Sequence, residues 1–202
     1  MTWVKICGVT SVEDAVLARD LGADAIGLNF VVGSPRKLAE EDARRIVGAV
    51  GTSLEIVGVV ADMTDAGALR QRVGFATLQL HGGEAESAVA ALLPGAYKAV
   101  RVGGAADVEQ ARRMPGDRVL VDARVAGVLG GSGVRLELAL VRELCRERSV
   151  IVAGGLTPEN VAEVIAEVSP WGVDVASGVE SAPGKKDAAR VAAFVRASKG
   201  AA

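Results

Sequence analysis

Lys5-Ile6-Cys7-Gly8-Val9-Thr10 decides how the rest of the chain is read: a short apolar run, a cysteine, then a glycine turn. Successive side chains in a strand point to opposite faces, so Ile6 faces one way and Lys5 and Cys7 the other. Packing alone is a poor reason for a thiol at the end of a strand, on the face that carries a lysine. Further apolar runs follow, so that strand-like segments near 3–7, 25–30, 55–60, 76–81, 97–102, 118–123, 149–154 and 173–177 alternate with helical patterns. Eight such units predict an α/β fold, a single (β/α)8 TIM barrel over residues 1–202, with a doubly wound parallel sheet as the competitor.

Spacing supports the helices. Ala39, Ala43, Ile46, Val47 and Val50 form one apolar stripe, Val161, Val164, Ile165 and Val168 a second, and Val191, Phe194 and Val195 a third. Thr10-Ser11-Val12-Glu13 has the capping-box spacing, and Thr157-Pro158 puts a hydroxyl cap before a proline at a first helical position.

In a closed barrel one face of each strand meets the helices and the other meets the axis. The apolar parity collects Ile6, Ile26, Leu28, Leu78, Leu80, Val119, Val121, Val173 and Val175, which are expected to face helices. Lys5, Cys7, Asn29, Gln79, His81, Arg101, Asp122 and Asp174 share the opposite parity. Several stand at C-terminal strand ends, where barrel enzymes place catalytic groups.

Composition narrows the chemistry. Net charge is −2 over 202 residues, and aromatic residues make up 3%, so neither a phosphate-backbone footprint nor a base-stacking platform is present and nucleic acid is not an expected partner. Without an apolar run of the roughly 18 residues that a span requires, and with no signal-peptide pattern, the expectation is a cytoplasmic protein with no membrane partner. Two distant cysteines read as free thiols, and one histidine leaves too few ligands for a structural zinc site.

Glycine-rich turns follow the last three strands: Gly130-Gly131-Ser132-Gly133, Gly154-Gly155-Leu156 and Ser177-Gly178-Val179-Glu180. Tight turning explains any one of them, but two in consecutive units after strands seven and eight favour phosphate binding by backbone N–H groups. The segment from Gly178 to Gly184-Lys185-Lys186 misses the spacing and the hydroxyl of a nucleotide phosphate loop, and no strand is followed by a dinucleotide fingerprint.

Cys7 admits three readings: a small buried hydrophobe, a nucleophile paired with His81, or a thiolate general base, which needs the fewest accessory parts. Cys145 shares a helix face with Leu138 and Val141 and reads as core. Asp122 is placed to be a desolvated general acid, or else a partner for Lys5 or Arg101; Asp174 better fits a partner for Lys5 across the barrel. Arg36, in Ser34-Pro35-Arg36, reads either as a solubilising loop residue or, behind a rigid proline that favours it, as a contact aimed at an anionic substrate, while His81 reads first as a hydrogen-bonded wall residue.

Taken together, Lys5 to Thr10, Gly27 to Phe30 with Ser34-Pro35-Arg36, Gln79-Leu80-His81-Gly82, Val121-Asp122-Ala123, the three glycine turns, and Val173 to Glu180 with Pro183 to Asp187 resemble the phosphoribosylanthranilate isomerase family over essentially the whole chain. The resemblance implies an Amadori rearrangement of N-(5-phosphoribosyl)anthranilate in tryptophan biosynthesis, with no cofactor and no metal. It implies Cys7 as general base and Asp122 as general acid. Arg36, Asn29, Gln79 and His81 would be substrate contacts, and Gly131, Gly133, Gly154, Gly155, Ser177 and Gly178 the phosphate site. The implied partner is a phosphorylated aminosugar, and the implied assembly a monomer or homodimer. Val134 to Leu138 depart from the lysine and aromatic pair common in the family, and Val60 stands where a phenylalanine is usual. Two other functions fit the same loops: the related histidine-pathway isomerase of an aminoimidazole ribosyl phosphate, which carries an aspartate at the position of Cys7, and a non-catalytic barrel that binds a phosphate ligand.

Overall fold

The structure, a computed structural model, describes residues 1–122 and 132–200, with only the backbone described for 132–138. Among the described residues, β1 (Trp3–Cys7), β2 (Ala25–Asn29), β3 (Glu55–Val60), β4 (Thr77–Leu80), β5 (Ala96–Arg101), β6 (Arg118–Asp122), β7 (Ser149–Ala153) and β8 (Gly172–Val175) close into a barrel in sequence order. All the neighbouring pairs are parallel, and β1 pairs with both β2 and β8, which excludes the doubly wound sheet. The helices are α1 (Val12–Asp20), α2 (Glu40–Val50), α3 (Ala66–Val73), α4 (Glu86–Ala90), α5 (Ala105–Arg113), α6 (Ser132–Glu147), α7 (Val161–Val168) and α8 (Ala188–Gly200). Between β8 and α8 the chain makes a 3-10 turn at Ser177–Val179 and a small hairpin, β9 (Glu180–Ala182) and β10 (Lys185–Lys186).

Parity along the strands sorts the side chains into two layers. Ile6, Ile26, Leu28, Leu78, Leu80, Val119, Val121, Val173 and Val175 join the apolar layer between barrel and helices. Ala25, Val57, Tyr97, Ala99, Leu120, Ile151 and Ala153 form a separate cluster inside the barrel. Burying an aliphatic side chain contributes roughly 1.5–3 kcal/mol, so slipping a strand by one residue, which would turn Lys5 and Asp174 into the helix layer, is strongly disfavoured. Ala43, Ile46 and Val50 on α2, and Val161, Val164, Ile165 and Val168 on α7, cover that layer from outside.

Two expected caps are displaced. Ser11, not Thr10, caps α1 by accepting from the Asp14 N–H at 3.1 Å. The Thr10 hydroxyl instead donates to the Gly184 carbonyl at 2.6 Å and ties the β9–β10 hairpin to the barrel. Near Thr157 the chain first makes a turn, in which Asn160 Oδ1 accepts from the Thr157 N–H at 2.8 Å, and α7 begins only at Val161. Val60 is fully buried in the layer under the helices, so that departure from the family pattern repacks the core; its neighbour Val59 faces the cleft. The side chains of Val134 to Leu138 lie outside the described residues. Cys145 is partly buried against the core, as its helix face implies.

At the N-terminal end, Trp3 stacks on Trp171 with ring centroids 5.1 Å apart, and Arg118 lies over both rings and over Tyr97. Arg118 also makes a forked pair with Glu55 at 2.9 and 3.1 Å, closing the barrel floor. Among the described residues, no helix is long and apolar enough to cross a membrane.

Candidate active site

A cleft of ≈ 230 Å³ opens at the C-terminal ends of the strands. Cys7, from the end of β1, and Asp122, from the end of β6, both line it. So do Asn29, Arg36, Gln79 and His81, and so do Gly154, Gly155, Ser177 and Gly178. Ten expected site residues therefore meet in one place. Gly131 lies outside the described residues, and Gly133 is known only as backbone in the first turn of α6. Arg101 is exposed and lines a neighbouring hollow that shares His81 with the cleft.

Beneath the cleft lies a buried polar network. Lys5 is fully buried, and its ammonium donates to Gln79 Oε1 at 2.7 Å and to Asp174 Oδ1 at 3.0 Å. Asp174 is the partner of Lys5 as expected, but from beside it: the two are directly in register on β1 and β8, so the contact does not cross the barrel. Burial opposes a charged lysine, yet the Asp174 carboxylate and the neighbouring Cys7 and Tyr97 reverse the effect and hold Lys5 well above its ordinary value. Tyr97, which the sequence reading passed over, donates its hydroxyl to Gln79 Oε1 at 3.0 Å. Its inward parity on β5 was the available signal.

With its oxygen occupied, Gln79 turns its amide nitrogen to His81 Nδ1 at 3.0 Å. An amide nitrogen only donates, so this network assigns the ring proton to Nε2. Burial pulls the His81 pKa down, and the Asp122 and Asp174 carboxylates only partly offset it, so the surroundings favour the neutral imidazole.

Burial also pushes the Cys7 thiol up, reinforced by Asp174, while the Lys5 and Lys186 ammoniums pull the other way; the net direction is upward. The Lys186 side chain is fully buried and donates to the Cys7 carbonyl at 2.6 Å, to Glu180 Oε1 at 2.9 Å and to the Ala176 carbonyl at 3.3 Å. Sequence reasoning set Lys186 aside with the phosphate-loop motif and gave it no other role. Its position depends on how the hairpin folds back, which no local pattern encodes.

Arg36 reaches the cleft from the loop after β2, and Glu180 holds its guanidinium by two hydrogen bonds of 2.8 and 2.6 Å. Burial opposes ionisation of Glu180, but Arg36 and Lys186 outweigh it and hold the carboxyl down at about 2. Asn29 shapes that loop: its oxygen accepts from the Val31 N–H at 2.8 Å, and its nitrogen donates to Ser34 Oγ, which also accepts from the Arg36 N–H.

The glycine turns after β7 and β8 form the far wall. Gly154 and Gly155 adopt positive φ of 94° and 68°. A Cβ on Gly178 would collide with the Leu156 carbonyl oxygen, so only glycine lets the two turns approach this closely. Gly155, Ser177 and Gly178 all line the cleft, and the backbone N–H groups of such tight turns are donors suited to an anion. No group of three His, Cys, Asp or Glu side chains among the described residues is placed to hold a metal ion.

Comparison with known proteins agrees with this architecture. Residues 4–197 match the family model for N-(5'-phosphoribosyl)anthranilate isomerase. The isomerase of Geotalea uraniireducens is 42% identical over 99% of this chain and 100% of its own length, and that of Myxococcus xanthus is 44% identical over 97% and 95%. The crystal structure of phosphoribosyl anthranilate isomerase from Thermotoga maritima superposes with a TM-score of 0.88 at 36% identity, covering 99% of this chain and 100% of that one. A further structure, of an isomerase in complex with reduced 1-(o-carboxyphenylamino)-1-deoxyribulose 5-phosphate, matches with a TM-score of 0.87 at 33% identity, covering 99% of this chain and 100% of that one. The chain belongs to the N-(5'-phosphoribosyl)anthranilate isomerase family of tryptophan biosynthesis.

Proposed function

We propose that Cys7 and Asp122 are the general base and general acid of an Amadori rearrangement that converts N-(5-phosphoribosyl)anthranilate to 1-(2-carboxyphenylamino)-1-deoxyribulose 5-phosphate. The observation that carries this reading is that the ends of β1 and β6 bring a thiol and a carboxyl group to one cleft whose far wall is built of glycine turns. The related structure with a bound reduced phosphate ester supports the choice of substrate.

In the proposed sequence, protonated Asp122 donates to the ribose ring oxygen. The bond from C1′ to that oxygen breaks as the anthranilate nitrogen lone pair forms the C1′=N iminium. The Cys7 thiolate then takes the proton from C2′; the C–H electrons become the C1′=C2′ double bond, and the iminium electrons return to nitrogen. The resulting enolamine ketonises: the C2′ hydroxyl gives up its proton as the C2′=O bond forms, and the C1′=C2′ electrons take up a proton at C1′. Base and acid must start from opposite protonation states; at Cys7 burial holds the proton on, and the Lys5 and Lys186 ammoniums oppose it in favour of the thiolate.

The backbone N–H groups of Gly155, Ser177 and Gly178 bind the phosphate in this reading, and Arg36 meets the aryl carboxylate. His81 Nε2–H supplies a neutral donor, held in place by Gln79. Asn29 acts through the loop that carries Arg36.

The test follows the loss of substrate fluorescence with the wild type, Cys7→Ala and Asp122→Asn. Removing a general acid or base lowers turnover by roughly 10²–10⁴-fold. Near-normal turnover in either variant overturns that residue's role.

A further inference from the structure

Lys5 is the least explained side chain in the molecule on packing grounds. Apart from the polar groups of its own network, the barrel interior holds a cluster of aliphatic and aromatic side chains, and desolvating an ammonium carries a penalty that an aliphatic residue at that position avoids. An ammonium has three donors. Two are directed at Gln79 and Asp174, and the ammonium also interacts with the Cys7 sulfur in the sense that favours the thiolate. Lys5 and Cys7 stand two residues apart on one face of β1, and both lie against the same point of β2: a Cβ on Gly27 would be 2.7 Å from Cys7 Sγ and 3.0 Å from Lys5 Cε.

We infer that Lys5 is a positioning residue for the reaction: its ammonium is the counter-ion that the Cys7 sulfur faces on losing its proton, and Asp174 limits how much of that charge the sulfur feels. The inference rests on Cys7 being the base. No proton passes to or from Lys5; the S–H bond breaks and re-forms at Cys7 alone. The other charged or titratable groups around the sulfur come from separate elements. Among the described residues they include Lys186 on the hairpin, Arg36 from the loop after β2 and Tyr97 on β5, with Asp122 and His81 lining the same cleft, and none of them shares the strand of Cys7.

The experiment titrates the thiol without turnover. In a Cys145→Ala background Cys7 is the single thiol of the chain, and its alkylation by iodoacetamide is followed against pH. Lys5→Met is expected to move the midpoint up by about one pH unit and Asp174→Asn to move it down by about as much, since a nearby charge shifts a titration by one unit or more. A role confined to holding the strands together makes the two variants alike, so shifts of the same sign, or none, overturn the inference. Where Lys5→Met fails to fold, the near-isosteric Asp174→Asn decides: a downward shift supports the inference, and an unchanged or raised midpoint overturns it. Should Cys7→Ala retain turnover while both midpoints move as expected, the base assignment fails and the control of the thiol by Lys5 stands.

Discussion

The Arg36 guanidinium and the Glu180 carboxylate, 144 residues apart in sequence, meet at 2.8 and 2.6 Å at the rim of the cleft. Glu180 is anchored in turn by the buried Lys186 ammonium, which also grips the Cys7 carbonyl. The orientation of the loop arginine's guanidinium is therefore fixed by the protein itself.

Replacing Glu180 by Gln removes that hold. An unrestrained arginine side chain carries about 2 kcal/mol of rotamer entropy, so KM for the carboxylated substrate is expected to rise about tenfold with kcat little changed. Steady-state kinetics check it. A fall in KM reverses the reading, because it means that Glu180 competes with the substrate for the guanidinium.

The same carboxylate makes stability depend on acid. Its folded value of about 2 lies below the ordinary glutamate value near 4.3, so the stabilisation is complete above that ordinary value and is lost as pH falls from there through about 2. Thermal melts between those limits are expected to decline less steeply for Glu180→Gln than for the wild type. Parallel declines would count against the assignment.

Gly178→Ala pushes a methyl group onto the Leu156 carbonyl and separates the turns after β7 and β8. The expected result is a KM raised at least about tenfold and weaker competition by inorganic phosphate. Unchanged inhibition by phosphate would place the anion elsewhere.

Gly27→Ala tests the crowding under the sulfur. Its Cβ would stand 2.7 Å from Cys7 Sγ and 3.1 Å from the Cys7 Cα, so the thiol must shift. Misplacing a reacting group by about 1 Å costs on the order of 10²-fold, and the loss is expected in kcat. A variant that folds with wild-type kcat is the contrary outcome.

Arg118→Ala acts at the other end of the barrel. It leaves the half-buried Glu55 without its forked partner and strips the cation from over Trp3, Tyr97 and Trp171. Melting temperature is expected to fall, corresponding to about 1–3 kcal/mol, with kcat and KM preserved in the folded protein, because the N-terminal face of such a barrel serves stability. A kinetic defect at a temperature where the variant is fully folded contradicts this.

By itself the sequence determined the barrel and most of the side chains that line the cleft. On β1, β4, β6 and β8 one parity is apolar and the other carries polar groups, so Ile6 and Val173 had to face the helices while Cys7, Gln79 and Asp122 faced the axis, because a one-residue slip would exchange apolar for polar side chains there; β3 and β7, with Val57 and Ile151 inside, are largely apolar on both faces. What only the tertiary structure decided are contacts between distant segments. Lys5 meets Asp174 because β1 closes the ring against β8; Thr10 leaves its cap for Gly184, and Lys186 and Glu180 lock Arg36, because the hairpin folds back over β1. Local periodicity reports which face a side chain occupies. It carries no information about which remote partner the closed ring brings to that face, and here those partners set the charge around the thiol and the aim of the arginine.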